Sequence, residues 1–365
     1  MIEQRFIDLI AQELSLTPVQ VASSVQLFDG GATIPFVARY RKDVTGNLNE
    51  EQLEIILDRN SYFVALTNRR KSVLENIEKQ GKLSDELRQQ IESCCTKTEL
   101  EDLYRPYKKK QRTKATVARE QGLEALADII WNREQVEGTL EGAAHSFLKP
   151  ESGLQTVDAA LEGAGYIIAE RYSEDVAIRH AMREFMMSNG RVASHSTKNA
   201  TDKQTKYEVY HEFSEPAKTI PSHRFLAIVR GSREGLLRME LDINDQQLLE
   251  VLAERFLPPA GETYAEFLHK AFADAYQRLL RPSIENEVIA TIHERADAEA
   301  IHVFRENASN LLLAPPAGGR VVMGVDPALK TGCKLAVVNT IGDYVEGQTV
   351  FPNPPHNKVE EAEKV

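Results

Sequence analysis

The sequence predicts a mainly α fold: a multi-helix N-terminal region, a small β element, and the opening strands of an α/β sheet at the end of the chain. Three observations carry this. Apolar residues recur at helical spacing through roughly the first 300 residues. Helix-start signatures of the capping-box kind punctuate them. Period-two alternation replaces that spacing near residues 207–213, and short apolar runs replace it again after residue 320.

The elements follow in order. Phe6, Ile7, Leu9, Ile10 and Leu14 share one helical face. Thr17-Pro18-Val19-Gln20 starts a second helix: Thr17 can accept from free amides, Pro18 fits the first helical position, and Gln20 can reach back. Asp29-Gly30-Gly31 marks a turn. Asn49-Glu50-Glu51-Gln52 is another capping box. It opens a helix over about 50–79, some ~45 Å long, with acids early and Arg69, Arg70 and Lys71 late, as the macrodipole favours. A short helix spans Leu83 to Cys94, and Thr98-Glu99-Leu100-Glu101 repeats the start signature. Helical spacing resumes with Leu123, Leu126, Ile129 and Ile130. Residues 156–189 read as a helical pair or triplet, with Gly163 and Gly165 small enough for close packing and Ser173 as a cap. Tyr207–Phe213 reads as a strand, Pro221 opens a helix to Arg230, and Leu236–Leu241 reads as a second strand. Helices return from Asp245 to about Asn310, with Pro282 as punctuation. Val321–Val325, Lys334–Val338 and Tyr344–Phe351 form a meander, followed by a short charged helix over 358–364.

Composition excludes several classes. With 42% hydrophobic and 27% charged residues, the chain is neither collagen-like nor wholly disordered. No apolar run approaches the ~20 residues that span a bilayer. Three cysteines, two of them adjacent, form no disulfide framework and no spaced zinc set. The N-terminus has no signal-peptide pattern, so a cytoplasmic protein is expected, with no membrane partner.

The net charge of −11 argues against a protein that coats nucleic acid, yet the charge is unevenly spread. Residues 105–119, RPYKKKQRTKATVAR, hold seven Lys or Arg and no acid. Mobile cations in local excess are what sequence-independent phosphate contact requires, and Tyr104 and Tyr107 add stacking surfaces. Arg105, Lys108, Lys109, Lys110, Arg112 and Lys114 are the candidate nucleic-acid-binding residues. The plainer alternative is a solvated loop paired with Glu99, Glu101 and Asp102. A second stretch, Thr33 to Lys42, sets Arg39, Arg41 and Lys42 beside Tyr40 near Pro35; ion pairs with nearby acids are the expected use of these cations. His211, His223, His293 and His302 lack zinc spacing. No P-loop, dinucleotide fingerprint or nucleophile elbow is present, and no cofactor is expected.

The remaining motif is Gly324-Val325-Asp326-Pro327, ending a strand, followed by Thr331-Gly332-Cys333-Lys334 leading into the next. Nucleases of the RNase H superfamily open this way, with an Asp that holds a divalent metal. Asp326 is therefore the candidate metal ligand. Two-metal chemistry needs clustered carboxylates, and neither Asp343 nor Glu346 is placed to complete a cluster.

Together, TIPFVARYRKDVTG (33–46), QGKLSDEL (80–87), TELEDLYRPYKKKQRTKATVAREQGLEALA (98–127), EPAKTIPSHRFLAIVRGSREGLL (215–237), RPSIENEV (281–288) and MGVDPALKTGCKLAVV (323–338) resemble the bacterial Tex family of transcription accessory proteins. The resemblance covers the whole chain in order. It implies a helical N-terminal region over 1–108, a helix-turn-helix-like module over 109–200, and a connecting region, α/β then helical, over 201–317. An incomplete RNase H-like domain of the YqgF type would follow over 318–365. The family's later helix-hairpin-helix and OB-fold RNA-binding domains are not expected within these residues. After Asp-Pro the family carries Gly and a basic or aromatic residue, where this chain has Ala328 and Leu329.

The expected function is a non-catalytic, nucleic-acid-binding transcription accessory protein with RNA or DNA as partner, alongside the transcription machinery. Two alternatives stand beside it. One is an RNase H-like nuclease or resolvase whose other carboxylates lie beyond Val365. The other is an acidic scaffold that docks on the transcription machinery.

Overall fold

The capping box at Asn49 forms as the sequence predicts. The Gln52 amide donates to Asn49 Oδ1 at 2.8 Å, and the Asn49 amide donates to Gln52 Oε1 at 3.1 Å. The computed structural model describes residues 2–108, 112–136, 139–148, 154–198, 206–315, 318–328 and 330–365. It is mainly helical, with two three-stranded sheets. The chain divides into two compact units, Met1–Ala296 and Asp297–Val365.

The first unit holds two apolar cores. The first is built by α1 (Gln4–Leu14), α2 (Pro18–Asp29), α3 (Ile34–Tyr40), α4 (Lys42–Thr45), α5 (Glu50–Lys79), α6 (Asp85–Ser93) and α7 (Lys97–Tyr104). The α5 helix is its spine, burying Leu53, Ile56, Phe63, Leu66, Val73 and Ile77 along one face. Phe6 of α1 stacks on Phe63 with ring centroids 4.3 Å apart. Full burial of one such side chain contributes roughly 1.5–3 kcal/mol. The Thr17 box also forms. The start of α7 differs from expectation: its box is Thr96–Glu99, not Thr98–Glu101.

The second core gathers α8 (Lys114–Glu120), α9 (Glu124–Trp131), α10 (Leu140–His145), α11 (Val157–Glu174) and α12 (Val176–Asn189). It continues with β1 (Arg191–Ser196), β2 (Glu212–Pro216), α13 (Ser222–Arg233), β3 (Leu237–Asp242), α14 (Asp245–Phe256), α15 (Ala265–Ala275) and the part of α16 (Arg281–Leu312) up to Ala296. The α11 helix runs through its middle, and Tyr172 meets Phe272 edge-on at 5.2 Å. Ser173 does not cap α12. Its hydroxyl donates back to the Glu170 carbonyl, and Asp175 is the cap.

The small sheet has the order β2-β1-β3, antiparallel throughout. Two expectations change here. Glu208–Tyr210 form a 3₁₀ turn, and the strand begins only at Glu212. The central strand β1 was not anticipated. Its only large apolar side chain is Val192, so it carries no alternation to read. It is instead held by pairing on both edges and by Ser194, whose buried hydroxyl donates to the Tyr210 carbonyl at 2.7 Å. Pro282 does not break the helix either. A π-helical turn over Tyr276–Leu280 leads into α16, and such a widened turn accommodates a proline that clashes with the carbonyl four residues back.

In the second unit, β4 (Val322–Asp326), β5 (Cys333–Val338) and β6 (Tyr344–Val350) form the expected antiparallel meander, with a bulge at Val337/Val338, before α17 (Val359–Ala362). Every residue of β4 is exposed.

Gly163 on α11 sits against Leu123, whose methyl occupies the space a Cβ would take. Gly163→Ala is expected to lower stability by about 1–3 kcal/mol through overpacking, read as a lower midpoint in urea unfolding. Gly165→Ala, which meets Phe267 only at ordinary van der Waals distance, should change the midpoint far less.

Candidate nucleic-acid interface

The basic run begins where α7 ends. A 3₁₀ turn over Arg105–Tyr107 carries the chain off α7, and Thr113 caps α8 at the far end. Lys109 and Lys110 lie outside the described residues.

Arg105 points into a charged cluster contributed by three helices. Asp102 of α7 is 2% exposed and accepts from Arg179 Nε at 3.0 Å and from Arg183, both on α12. Glu287 of α16 accepts from Arg105 Nη2 at 3.0 Å, from Arg183 Nη1 at 2.9 Å and from Arg179. Arg179, 1% exposed, also donates to the Ser173 carbonyl at 3.2 Å and to Ser283 Oγ at 3.1 Å. Burial lowers the Arg179 pKa, with Arg105 adding to the effect while Glu287 and Asp102 oppose it. Three guanidiniums share two carboxylates, and Glu170 and Glu174 line the cleft above them beside Arg105 and Arg179. The Nε of Arg105 is buried with no hydrogen-bond partner among the described residues.

Above this cluster lies an open cleft of about 290 Å³, whose lining includes Arg105, Lys108, Arg179, Arg278, Tyr166 and Glu170. Glu170 is matched by Arg119 at 2.5 Å. Tyr166 stands at the rim between two cations. Lys114 Nζ lies 4.4 Å from its ring centroid and donates to its hydroxyl at 2.9 Å, and the Arg278 guanidinium lies 5.4 Å away. The Tyr166 hydroxyl in turn donates to Glu162. Lys114 is exposed and forms no ion pair with the described residues.

The structure therefore brings Arg105 and Lys108 into the lining of one cleft, with Lys114 beside it on the Tyr166 ring. Arg112 turns away to Glu120 at 2.8 Å. Lys108 is paired with Glu101, which Arg69 also reaches at 2.7 Å. Burial tends to raise the Glu101 pKa, but the hydrogen bonds from Arg69 and Lys108 outweigh it and hold the pKa at about 2. Tyr104 is covered by Arg69 and Lys108, at 5.3 and 5.6 Å from its ring centroid. Tyr166, Arg278, Arg179, Arg183 and Glu287 were not anticipated. The one signal in the sequence was the spacing of Arg179 and Arg183, which puts both on one face of a helix.

Asp326 ends β4 in the second unit. It pairs in register with Lys334, whose Nζ lies 3.8 Å away, and its side chain is 74% exposed. Among the described residues no group of three or more His, Cys, Asp or Glu side chains converges on a point. Asp326 is the only member of such a group that the described residues supply at this strand end, and its ion pair is with Lys334, so the described residues do not fit a two-cation centre. Leu329, one of the two departures after Asp-Pro, lies outside the described residues. Among the described residues no helix is long and apolar enough to cross a membrane.

Three family models match the chain in order. They are Tex-like protein N-terminal domain over 4–78, Tex central region-like over 137–304, and Tex protein YqgF-like domain over 320–365. The protein tex of Bordetella pertussis is 38% identical over 96% of this chain and 46% of its own length. The transcriptional accessory protein Tex of Neisseria gonorrhoeae is 37% identical over 96% of this chain and 46% of its own length. The human S1 RNA-binding domain-containing protein 1 is 29% identical over 94% of this chain and 36% of its own length. The chain spans about half the length of the bacterial relatives it matches.

The depressed pKa of Glu101 sets a pH dependence. A carboxylate held down in the folded state stabilises the protein above its unfolded pKa, and that contribution is lost as pH falls through the folded value. Stability supplied by the Arg69–Glu101–Lys108 group should be full above about pH 4.5 and gone near pH 2. Unfolding midpoints measured across this window should fall less steeply for Glu101→Gln than for the unchanged chain.

Proposed function

The chain belongs to the Tex family, and on that premise we propose that it is a transcription accessory protein that associates with RNA or DNA through the cleft at the end of α7. One observation supports this most. Lys114 is an exposed cation on the cleft rim with an aromatic ring, rather than a carboxylate, as its partner. Its charge is thus available to a phosphate. Below it, three guanidiniums gather around two carboxylates at the floor. Such a surface holds a backbone through charge and does not read sequence.

The names of the relatives point the same way: transcription in the neisserial protein, RNA binding in the human one. The role we assign is one of binding, and no chemical step is placed at Asp326. It is a role performed in the cytoplasm beside the transcription machinery.

Most of the other cations in the run are committed to carboxylates. Affinity should therefore be modest and strongly dependent on salt. Replacing Lys108, Lys109, Lys110, Arg112 and Lys114 together with Gln should weaken binding to a labelled single strand in fluorescence anisotropy. The slope of log affinity against log salt should shrink by about 0.7 for each phosphate that is no longer neutralised. Unchanged affinity and slope would remove this surface from the reading.

A further inference from the structure

The stretch Thr33 to Lys42 does not form the ion pairs that its composition suggests. The α3 helix is anchored by two buried residues, Val37 and Ala38, which face α5. At Arg41 the backbone leaves helical values, with φ −132° and ψ 27°, and α4 restarts at Lys42. The buried hydroxyl of Thr45 donates to the Arg41 carbonyl at 3.1 Å, and Gly46 closes α4 in the left-handed region, where the Gln20 amide donates to its carbonyl at 3.2 Å. The break is therefore fixed at both ends. It throws Arg39, Tyr40, Arg41 and Lys42 outward together.

All four are exposed, and Tyr40 is 65% exposed. The Phe36 ring, 41% exposed, lies 5.5 Å from the Tyr40 ring. Arg41 lies 5.1 Å from the Phe36 centroid and donates to the Tyr40 carbonyl. Arg39, Arg41 and Lys42 form no ion pair with the described residues, and the stretch is followed by one acid, Asp43. The helix needs only Val37 and Ala38 for packing, so its two exposed rings lie next to three cations that have no carboxylate partner among the described residues.

We propose that this surface binds single-stranded nucleic acid, with a base stacking on Tyr40 and phosphates held by Arg39 and Lys42. The chemistry selects the ligand. Free cations attract phosphates of any strand, but an exposed ring gains only from a base whose face is open. A duplex hides those faces. The inference rests on the nucleic-acid reading above but uses different residues of the first unit, so the two can fail separately.

The test is anisotropy of the 365-residue chain with labelled oligouridylate and oligothymidylate, and with a duplex of equal length, while unfolding midpoints are followed for each variant. Tyr40→Ala should weaken single-strand binding about tenfold and leave duplex binding within about twofold. Arg39→Gln with Lys42→Gln should lower the salt slope on single strands by about 1.4. Unchanged single-strand affinity in Tyr40→Ala, with the midpoint unchanged, would overturn the inference. Loss of single-strand binding only in the Lys108–Lys114 variants would overturn it while leaving the first reading in place. Loss of binding to a labelled polyglutamate peptide, with binding to the strands intact, would assign the surface to an acidic protein segment and overturn it too. Failure of the unchanged chain to bind any strand would overturn both.

Discussion

The buried cluster of Asp102, Arg179, Arg183, Glu287 and Arg105 is the constraint on which the rest of the first unit depends. Its members come from α7, α12, α16 and the turn after α7, and it lies where the two apolar cores meet. Burying charge is unfavourable in itself, and replacing a buried ion pair with apolar groups is often neutral or stabilising. The cluster therefore contributes geometry more than net stability. Asp102 can satisfy both of its arginines only if α7 ends against α12. Glu287 can receive three guanidiniums only if α16 lies across them. Those requirements fix where the chain leaves α7, and so where Arg105, Lys108 and Lys114 are held.

The same arithmetic of partners explains how an acidic chain can hold a basic surface. Many of the cations around the cleft are matched to carboxylates within hydrogen-bonding distance, among them Arg69, Lys108, Arg112 and Arg119. Lys114 over Tyr166 and the group at Arg39, Arg41 and Lys42 form no ion pair with the described residues. Exposed charges act over roughly 10 Å at physiological salt. A net charge of −11 spread over the whole chain therefore says little about these places.

Local chemistry was legible in the sequence and long-range pairing was not. The boxes at Thr17 and Asn49 involve residues three apart, so the pattern and the structure coincide. At α7 the sequence reads as a box at Thr98, whereas it forms at Thr96. Glu101, which a box at Thr98 would need, is held by Arg69 and Lys108. Those partners could not be inferred from spacing. The run 105–119 was legible as a charge excess, but which of its members stay available was not, since Glu287 lies 182 residues from Arg105. The β1 strand escaped notice because its place at the centre of the sheet comes from its two neighbours rather than from its own side chains. The stretch from Thr33 to Lys42 misled in the opposite direction: acids near it in sequence form no ion pair with Arg39, Arg41 or Lys42 among the described residues.

The central claim is that Asp102 and Arg179 act as one unit in joining α7 to α12. A double-mutant cycle measures this directly. Urea unfolding of Asp102→Ala, Arg179→Met and the double variant should show a coupling of about 0.5–3 kcal/mol, the range for residues that share one network. Additivity to within about 0.5 kcal/mol would mean that the two side chains stabilise the protein independently, and would contradict the account.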